Sequence, residues 1–253
     1  MKSLLLNGKN GRMGESITQQ LSQSSEFSLI GGISKDTSDD KRLHLITCAD
    51  VILDFSNSKG NHDLLQALKK LAPDTSKAII IGTTGLEQEH LNAWKVFAQA
   101  RQVKILLAPN TSLGIILSLK AGLELAKGCF ANGFDLEIHE THHREKVDAP
   151  SGTALFLASS IAREHKKEVI YGRQGIRQKK EIGISSTRGG LIFGEHELRF
   201  LSDDEEITIT HRAFSRQIFA KGALYLASWL CAKKDTGVFS LEDVLLSQNY
   251  QQS

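Results

Sequence analysis

The stretch richest in chemistry runs from Glu137 to Thr153, E-I-H-E-T-H-H-R-E-K-V-D-A-P-S-G-T. His139, His142, His143, Arg144 and Lys146 supply cations and proton carriers within a few residues of each other. Pro150-Ser151-Gly152-Thr153 leads into the apolar run Ala154–Ala158, a helix whose first turn Ser151 or Thr153 can cap. Upstream, Phe134–Ile138 alternates apolar and polar residues, as a half-buried strand does. The polar residues between are therefore expected on a loop that joins a strand to a helix N-terminus. There the unpaired N–H groups of Gly152 and Thr153 attract an anion. Cations and acid–base groups facing such donors suit a substrate that carries carboxylates. The plain alternative is a solvated polar loop.

The same residues admit a reading of another class. His139-Glu140-Thr141-His142-His143 satisfies H-E-x-x-H, the zinc-hydrolase pattern, with Glu164 downstream as a conceivable third ligand. That chemistry needs a helix, so that both histidines share one face and the glutamate reaches the metal-bound water. The strand-like alternation before His139 speaks against it, and no bound metal is expected. His139, inside the strand pattern, is given no role.

The elements that must position this stretch begin with Ser3–Asn7, a short buried strand. It is followed by Gly8-Lys9-Asn10-Gly11-Arg12-Met13-Gly14 and a helix with Met13, Ile17 and Leu21 at helical spacing. Strand, glycine loop and helix together form a dinucleotide-binding context, although the pattern is G-x-x-G-x-x-G rather than G-x-G-x-x-G. Glycines that only make a tight turn are the rival reading. Further strands are expected at Phe27–Ile33, Val51–Phe55, Ala78–Ile81 and Val103–Leu107, with helices around Leu64–Leu68 and from Leu91 to about Ala98. Strands alternating with helices imply a parallel sheet that binds ligands beyond its carboxyl ends. Leu113–Ala126 reads as a buried helix leaving this domain. Beyond the organising stretch, Ile182–Ser186, Leu191–Phe193, His196–Leu201 and Ile207–His211 read as strands of a second, partly antiparallel sheet. Few helices are left to back it, so an uncovered apolar face and a homo-oligomer are expected. Ala220–Ala223 opens an apolar helix through Leu230, and Leu241–Leu246 closes the pattern.

His142-His143-Arg144-Glu145-Lys146-Val147-Asp148-Ala149-Pro150-Ser151-Gly152-Thr153-Ala154 resembles the signature of 4-hydroxy-tetrahydrodipicolinate reductases, formerly dihydrodipicolinate reductases, of lysine and diaminopimelate biosynthesis. Gly11-Arg12-Met13-Gly14 and Gly82-Thr83-Thr84-Gly85 match the family as well, and the likeness runs from Leu4 to about Leu245. It implies hydride transfer from a reduced nicotinamide to a cyclic imine bearing two carboxylates, giving tetrahydrodipicolinate with loss of water. By carry-over, His142 and Lys146 are the acid–base residues, His143 and Lys146 meet the substrate, and Gly152 and Thr153 close around it. The cofactor would be held by Gly8, Lys9, Asn10, Gly11, Arg12 and Met13, by Ser34 and Lys35, and by Phe55. Gly82, Thr83 and Thr84, with Ala108, Pro109, Asn110 and Thr111, would line its nicotinamide and ribose. The chain departs from the family at Thr111, where an aromatic is expected, and in D-F-S-N-S, which lacks a following proline. The family also suggests a tetramer joined through the second-domain sheets, and a last segment that returns to the first domain by a second crossing.

The implied fold class is α/β: an N-terminal Rossmann-like dinucleotide-binding domain with a second α+β domain built on a mixed sheet. The first covers 1–112 plus 220–253 and the second, for substrate binding and oligomerisation, 113–219. A nucleotide-sensing module without turnover shares that fold but leaves the acid–base cluster idle. One feature of the cofactor site comes from the residues alone. The second strand ends at Ser34-Lys35, with Asp36 one residue further on. An acid at that end would repel a 2′-phosphate. Its absence, with Lys35 alongside, predicts NADPH preferred modestly over NADH, by roughly 1–2 kcal/mol for an exposed contact.

Composition agrees with an enzyme of this kind. The net charge of +2 over 253 residues gives no basic footprint for nucleic acid or an anionic membrane. Cys48, Cys129 and Cys231 are widely spaced and odd in number, which suits reduced thiols in the cytoplasm rather than a disulfide framework. The Leu4–Leu6 run is too short for a signal peptide, and Lys120 and Glu124 interrupt the longest apolar segment.

Overall fold

The computed structural model describes residues 1–72 and 77–247. Residues 73–76 and 248–253, placed above in the first domain, lie outside the described residues. The chain divides into two compact units, Met1–Ser112 with Gln217–Ser253, and Leu113–Arg216. The return to the first unit thus falls at Gln217, where helix α7 begins, three residues before the glycine-flanked start read from the sequence.

The first unit opens with β1 (Lys2–Asn7), α1 (Arg12–Leu21), β2 (Phe27–Ile33), α2 (Asp39–Cys48), β3 (Val51–Asp54), α3 (Ser58–Lys69), β4 (Ala78–Ile81), α4 (Gln88–Arg101) and β5 (Lys104–Leu107). The second unit follows with α5 (Leu113–Ala131), β6 (Asp135–His142), α6 (Gly152–His165), β7 (Glu168–Tyr171), β8 (Glu181–Arg188), β9 (Glu195–Leu201) and β10 (Glu206–Arg212). The chain then completes the first unit with α7 (Gln217–Ala232), β11 (Gly237–Ser240) and α8 (Leu241–Leu246).

The first sheet runs β11-β5-β4-β3-β1-β2, and every neighbouring pair in it is parallel. Its inner strands are apolar on both faces, as a sheet covered on both sides requires; Leu4–Leu6, Val51–Leu53 and Ala78–Ile81 are all buried. Because β1 lies between β2 and β3, the strand order reverses beside it. A doubly wound sheet opens a crevice beyond the strand ends at that point. Helix α7 packs on β3, β4 and β5 through a face that includes Ala220, Ala223, Leu226, Ala227 and Leu230, all fully buried. Each such leucine contributes about 1.5–3 kcal/mol of burial.

The second sheet runs β10-β9-β6-β8-β7. Strand β6 is antiparallel to β9 and parallel to β8, so the sheet is mixed. Helices α5 and α6 pack on one face, above Leu136, Ile138, Ile182, Leu198 and Phe200. The opposite face differs from expectation. Strand alternation places the polar side chains Glu137, His139, Thr141, Ser185, Thr187, Glu197 and Arg199 there. Leu191–Phe193 is not a strand either. Gly189, Gly190 and Gly194 bracket it, and Ile192 O accepts from His143 N, at the start of the loop after β6, at 2.8 Å.

Candidate active site

Two sites take shape, one in each unit. In the first, β1 ends at Asn7 and the chain turns at Gly8 with φ +90°, where a Cβ would stand 2.4 Å from Phe55 O. Only glycine fits that turn. Gly11 N donates to Gly8 O at 3.0 Å, and α1 starts with no side-chain cap on its first turn. Its leading N–H groups are thus left for an anion such as a pyrophosphate. A cleft of about 790 Å³ opens here. Of the residues expected to hold a dinucleotide, Gly8, Asn10, Gly11, Ser34, Lys35 and Phe55 line it.

The other expected cofactor residues do not line that cleft. The Lys9 side chain lies against Gly32, and Arg12 and Met13 enter α1. Gly82 backs the Phe55 ring, while Thr84 is exposed in the loop after β4. Thr83 is buried with its hydroxyl donating to Asp54 Oδ2 at 2.8 Å. Ala108 is buried and Pro109 half-buried; Asn110 Oδ1 accepts from Ser112 N at 2.8 Å. Thr111 is 2% exposed, and its hydroxyl donates to Phe219 O at 2.7 Å. Where an aromatic is expected, the threonine side chain meets the first turn of α7.

Sequence reading missed Asp54, which is fully buried at the end of β3. Its carboxylate accepts from Asn7 Nδ2 at 2.7 Å, from Asn61 Nδ2, from Thr83 and from Ser56 Oγ. One charged group thereby fixes the ends of β1 and β3 and the loop after β4. Its only signal in the sequence is an acid closing an apolar strand. Arg42 was missed too. It lines the cleft beside Lys35, with Nη2 donating to Thr37 O at 3.3 Å and Nη1 paired with Asp39 at 2.5 Å.

In the second unit the organising stretch is less of a loop than expected. Strand β6 continues through His142, and the loop proper spans 143–151. Alternation turns Leu136, Ile138, Glu140 and His142 to the covered face and His139 and Thr141 to the other. Glu140 is fully buried, and one of its oxygens meets His142 Nδ1. The other accepts from Arg188 Nη2 at 2.6 Å and from Ser151 N at 3.2 Å. Burial works against ionisation of Glu140, but hydrogen bonds from His142, Arg188 and Ser186 outweigh it. Its carboxyl is held well below the usual carboxylate range.

His196 stands opposite Glu140 in the β6–β9 register, its ring edge-on to His142 with centroids 5.1 Å apart. It is 3% exposed, and burial, with a smaller contribution from the neighbouring His142, pushes its pKa down to about 3. His196 is therefore neutral at pH 7. Sequence reading overlooked its place in phase with the buried Leu198 and Phe200.

Beyond the strand, Lys146 Nζ pairs with Asp148 Oδ1 at 2.7 Å. Gly152 N donates to Asp148 Oδ2 at 3.3 Å. Ser151, not Thr153, caps α6, accepting from Ala154 N at 3.2 Å. Thr153 is buried in the first turn, and His143 is half-buried where the loop begins. His142, His143, Lys146, Gly152 and Thr153 thus lie along one strand–loop–helix segment.

The H-E-x-x-H reading does not fit this geometry. On a strand, His139 and Glu140 point to opposite faces, and the His139 ring meets Ser185 Oγ at 2.8 Å on the outer one. A different trio, Glu140, His142 and His196, has donor atoms within 4.8 Å of one another. Both Glu140 oxygens and His142 Nδ1 are already spent on the contacts above.

The family model described as dihydrodipicolinate reductase, N-terminus, matches residues 2–111, and the one described as its C-terminus matches residues 114–245. The chain belongs to the dihydrodipicolinate reductase family. It is 36% identical over 260 residues to 4-hydroxy-tetrahydrodipicolinate reductase of Clostridium novyi (strain NT), covering 98% of this chain and 100% of that one. It is 39% identical over 261 residues to the enzyme of that name from Methanosarcina acetivorans, covering 94% and 97%. Its fold is similar to that of the dipicolinate-bound dihydrodipicolinate reductase from Paenisporosarcina sp. TG-14, with a TM-score of 0.72 at 25% identity over 96% of this chain and 99% of that one. The diaminopimelate dehydrogenase of C. glutamicum, at 10% identity, 95% and 92% coverage and a TM-score of 0.57, shares the fold alone. The family is one of NAD(P)H-dependent oxidoreductases, so the metallohydrolase and the sensing module without turnover fall away. Among the described residues, no helix is long and apolar enough to cross a membrane.

Proposed function

We propose that the chain reduces 4-hydroxy-tetrahydrodipicolinate to tetrahydrodipicolinate with NAD(P)H. The observation that carries this reading is the run His142, His143, Lys146, Gly152 and Thr153 at the end of β6 and the start of α6. A dianion needs charge and N–H donors, which His143, Lys146 and the Gly152-Thr153 amides provide. The overall step adds a hydride and a proton to the ring and releases water, so the site must also deliver a proton. His142 and Lys146 are the groups placed to do so, a task worth about 10²–10⁴-fold in rate. In the first unit, the glycine turn at Gly8, the uncapped start of α1 and the 790 Å³ cleft suit a dinucleotide. When bound, its reduced nicotinamide supplies the hydride. NADPH is the modestly preferred form, because Ser34 and Lys35 replace an acid at the end of β2.

The enzyme works in the cytoplasm. The second-unit sheets join copies of the chain into a homotetramer, and the polar outer face of β6, β8 and β9 makes that contact one of hydrogen bonds and ion pairs. Light scattering that gives a monomer at micromolar concentration overturns the assembly. The activity is tested by following oxidation of NADPH in the presence of freshly generated 4-hydroxy-tetrahydrodipicolinate. Oxidation that depends on both the enzyme and that compound is expected, and no turnover overturns the assignment.

A further inference from the structure

Glu140 is an unusual residue to bury in a sheet. Of the side chains β6 turns inward, it is the acidic one, and removing a carboxylate from water costs several kcal/mol unless it is paired. The fold meets that cost with donors on three elements: the His142 ring on β6, Arg188 and Ser186 on β8, and the Ser151 amide at the start of α6. Arg188 Nη2 also donates to Asp148 O at 2.6 Å, so the cation that holds Glu140 also holds the 143–151 loop.

We propose that Glu140 is the positioning residue for His142, holding its ring with the proton on Nδ1 and Nε2 left to exchange a proton with substrate. The inference rests on the reading of His142 as an acid–base residue. Three features support it independently. With Arg188 and the Ser151 amide holding Glu140 as a carboxylate, it can only accept from His142, so Nδ1 carries the hydrogen. At the other end of the ring, the neighbour is Gly194, where a Cβ would stand 2.9 Å from His142 Nε2. Glycine there leaves Nε2 uncrowded, which any other residue would not. Finally, the ring edge-on to His142 belongs to His196, which burial keeps neutral, so the neighbouring imidazole brings no charge against His142 taking up a proton. A carboxylate that fixes the tautomer of a working imidazole is a general device.

The test is Glu140→Gln, which keeps the shape and removes the charge. With saturating NADPH, kcat should fall about 10- to 100-fold while KM for the substrate stays within about twofold. In a His142→Gln background, Glu140→Gln should cost nothing further in kcat, since the two act as one unit. Nitrogen NMR of the ligand-free wild-type enzyme should find the proton of neutral His142 on Nδ1. That measurement stands even if Glu140→Gln does not fold, and a proton on Nε2 overturns the proposal. A Glu140→Gln enzyme that melts at a lower temperature but retains kcat also overturns it, reducing Glu140 to a structural ion. The underlying reading fails separately: a His142→Gln enzyme with normal kcat removes His142 from catalysis and this proposal with it. A dead His142→Gln enzyme beside a normal Glu140→Gln enzyme removes only the proposal.

Discussion

Asp148 lies across the two donors assigned to the substrate, one oxygen on Lys146 Nζ at 2.7 Å and the other on Gly152 N at 3.3 Å. Burial opposes its ionisation, but the Lys146 partner outweighs that and holds its carboxyl below the usual range. Asp148 is therefore a carboxylate that competes with a substrate carboxylate for the same partners. Asp148→Asn should tighten binding of a dicarboxylate inhibitor such as dipicolinate about three- to tenfold, equal to about 0.7–1.4 kcal/mol. Calorimetric titration reads this directly. Weaker binding would mean that Asp148 orients Lys146 for the ligand instead of competing with it.

Lys146 and His143 should separate by kinetic class. Lys146→Ala should lower kcat at least about 10²-fold if its ammonium delivers the proton. His143→Ala should act mainly through KM, because a group that only meets a carboxylate binds ground state and transition state alike. Steady-state kinetics decide the matter. A near-normal kcat in Lys146→Ala removes the lysine from proton transfer.

Cofactor choice should follow the charge at the end of β2. Lys35→Ala should lower kcat/KM for NADPH about tenfold and leave NADH nearly unchanged, and high salt should narrow the gap in the wild type. Arg42→Ala should act in the same direction, since Arg42 lines the same cleft. Equal losses with both cofactors would show that these cations serve the fold, not the 2′-phosphate.

Stability should fall on the acid side for a reason that can be assigned. His196 has a folded pKa of about 3, below its ordinary value, so the unfolded chain takes up its proton first. Its contribution is complete above about pH 6.5 and is lost progressively as pH drops towards 3, at up to about 1.4 kcal/mol per pH unit. Glu140 acts in the same sense. Its depressed pKa gives stability that is present above the ordinary glutamate range and lost as pH falls below it. Thermal melts of His196→Gln should therefore show a shallower decline than wild type between pH 6.5 and 5. Parallel curves would place the acid sensitivity elsewhere.

Much of the framework was legible, and the exceptions have physical causes. β2 and β4 begin and end where the sequence places them, because turn residues bound their apolar runs. Helix α2 escaped notice because Leu43, Leu45 and Ile46 do not form a helical stripe. β7 and β11 are four residues each and become strands only by pairing, β7 with the strand that follows it and β11 with β5 far earlier in the chain. At the site, the strand–loop–helix frame and the capping Ser151 could be read locally. Glu140 was noticed only as part of a zinc pattern, since its real partners, Arg188 and the neighbouring His196, arrive on β8 and β9. Register brings them together, and no local spacing records register.

The way the first sheet is completed bears on how the chain is made. Strand β5 gains its outer neighbour, and β3 to β5 gain the cover of α7, only from residues beyond Gln217. As the polypeptide leaves the ribosome, the early strands must wait through the whole of the second unit with an open edge and a bare apolar face. Open edges and bare faces invite pairing with other chains. The second unit is contiguous and can close while the first is still unfinished. Truncated chains ending before Gln217 should therefore yield a folded C-terminal portion attached to an aggregation-prone N-terminal one.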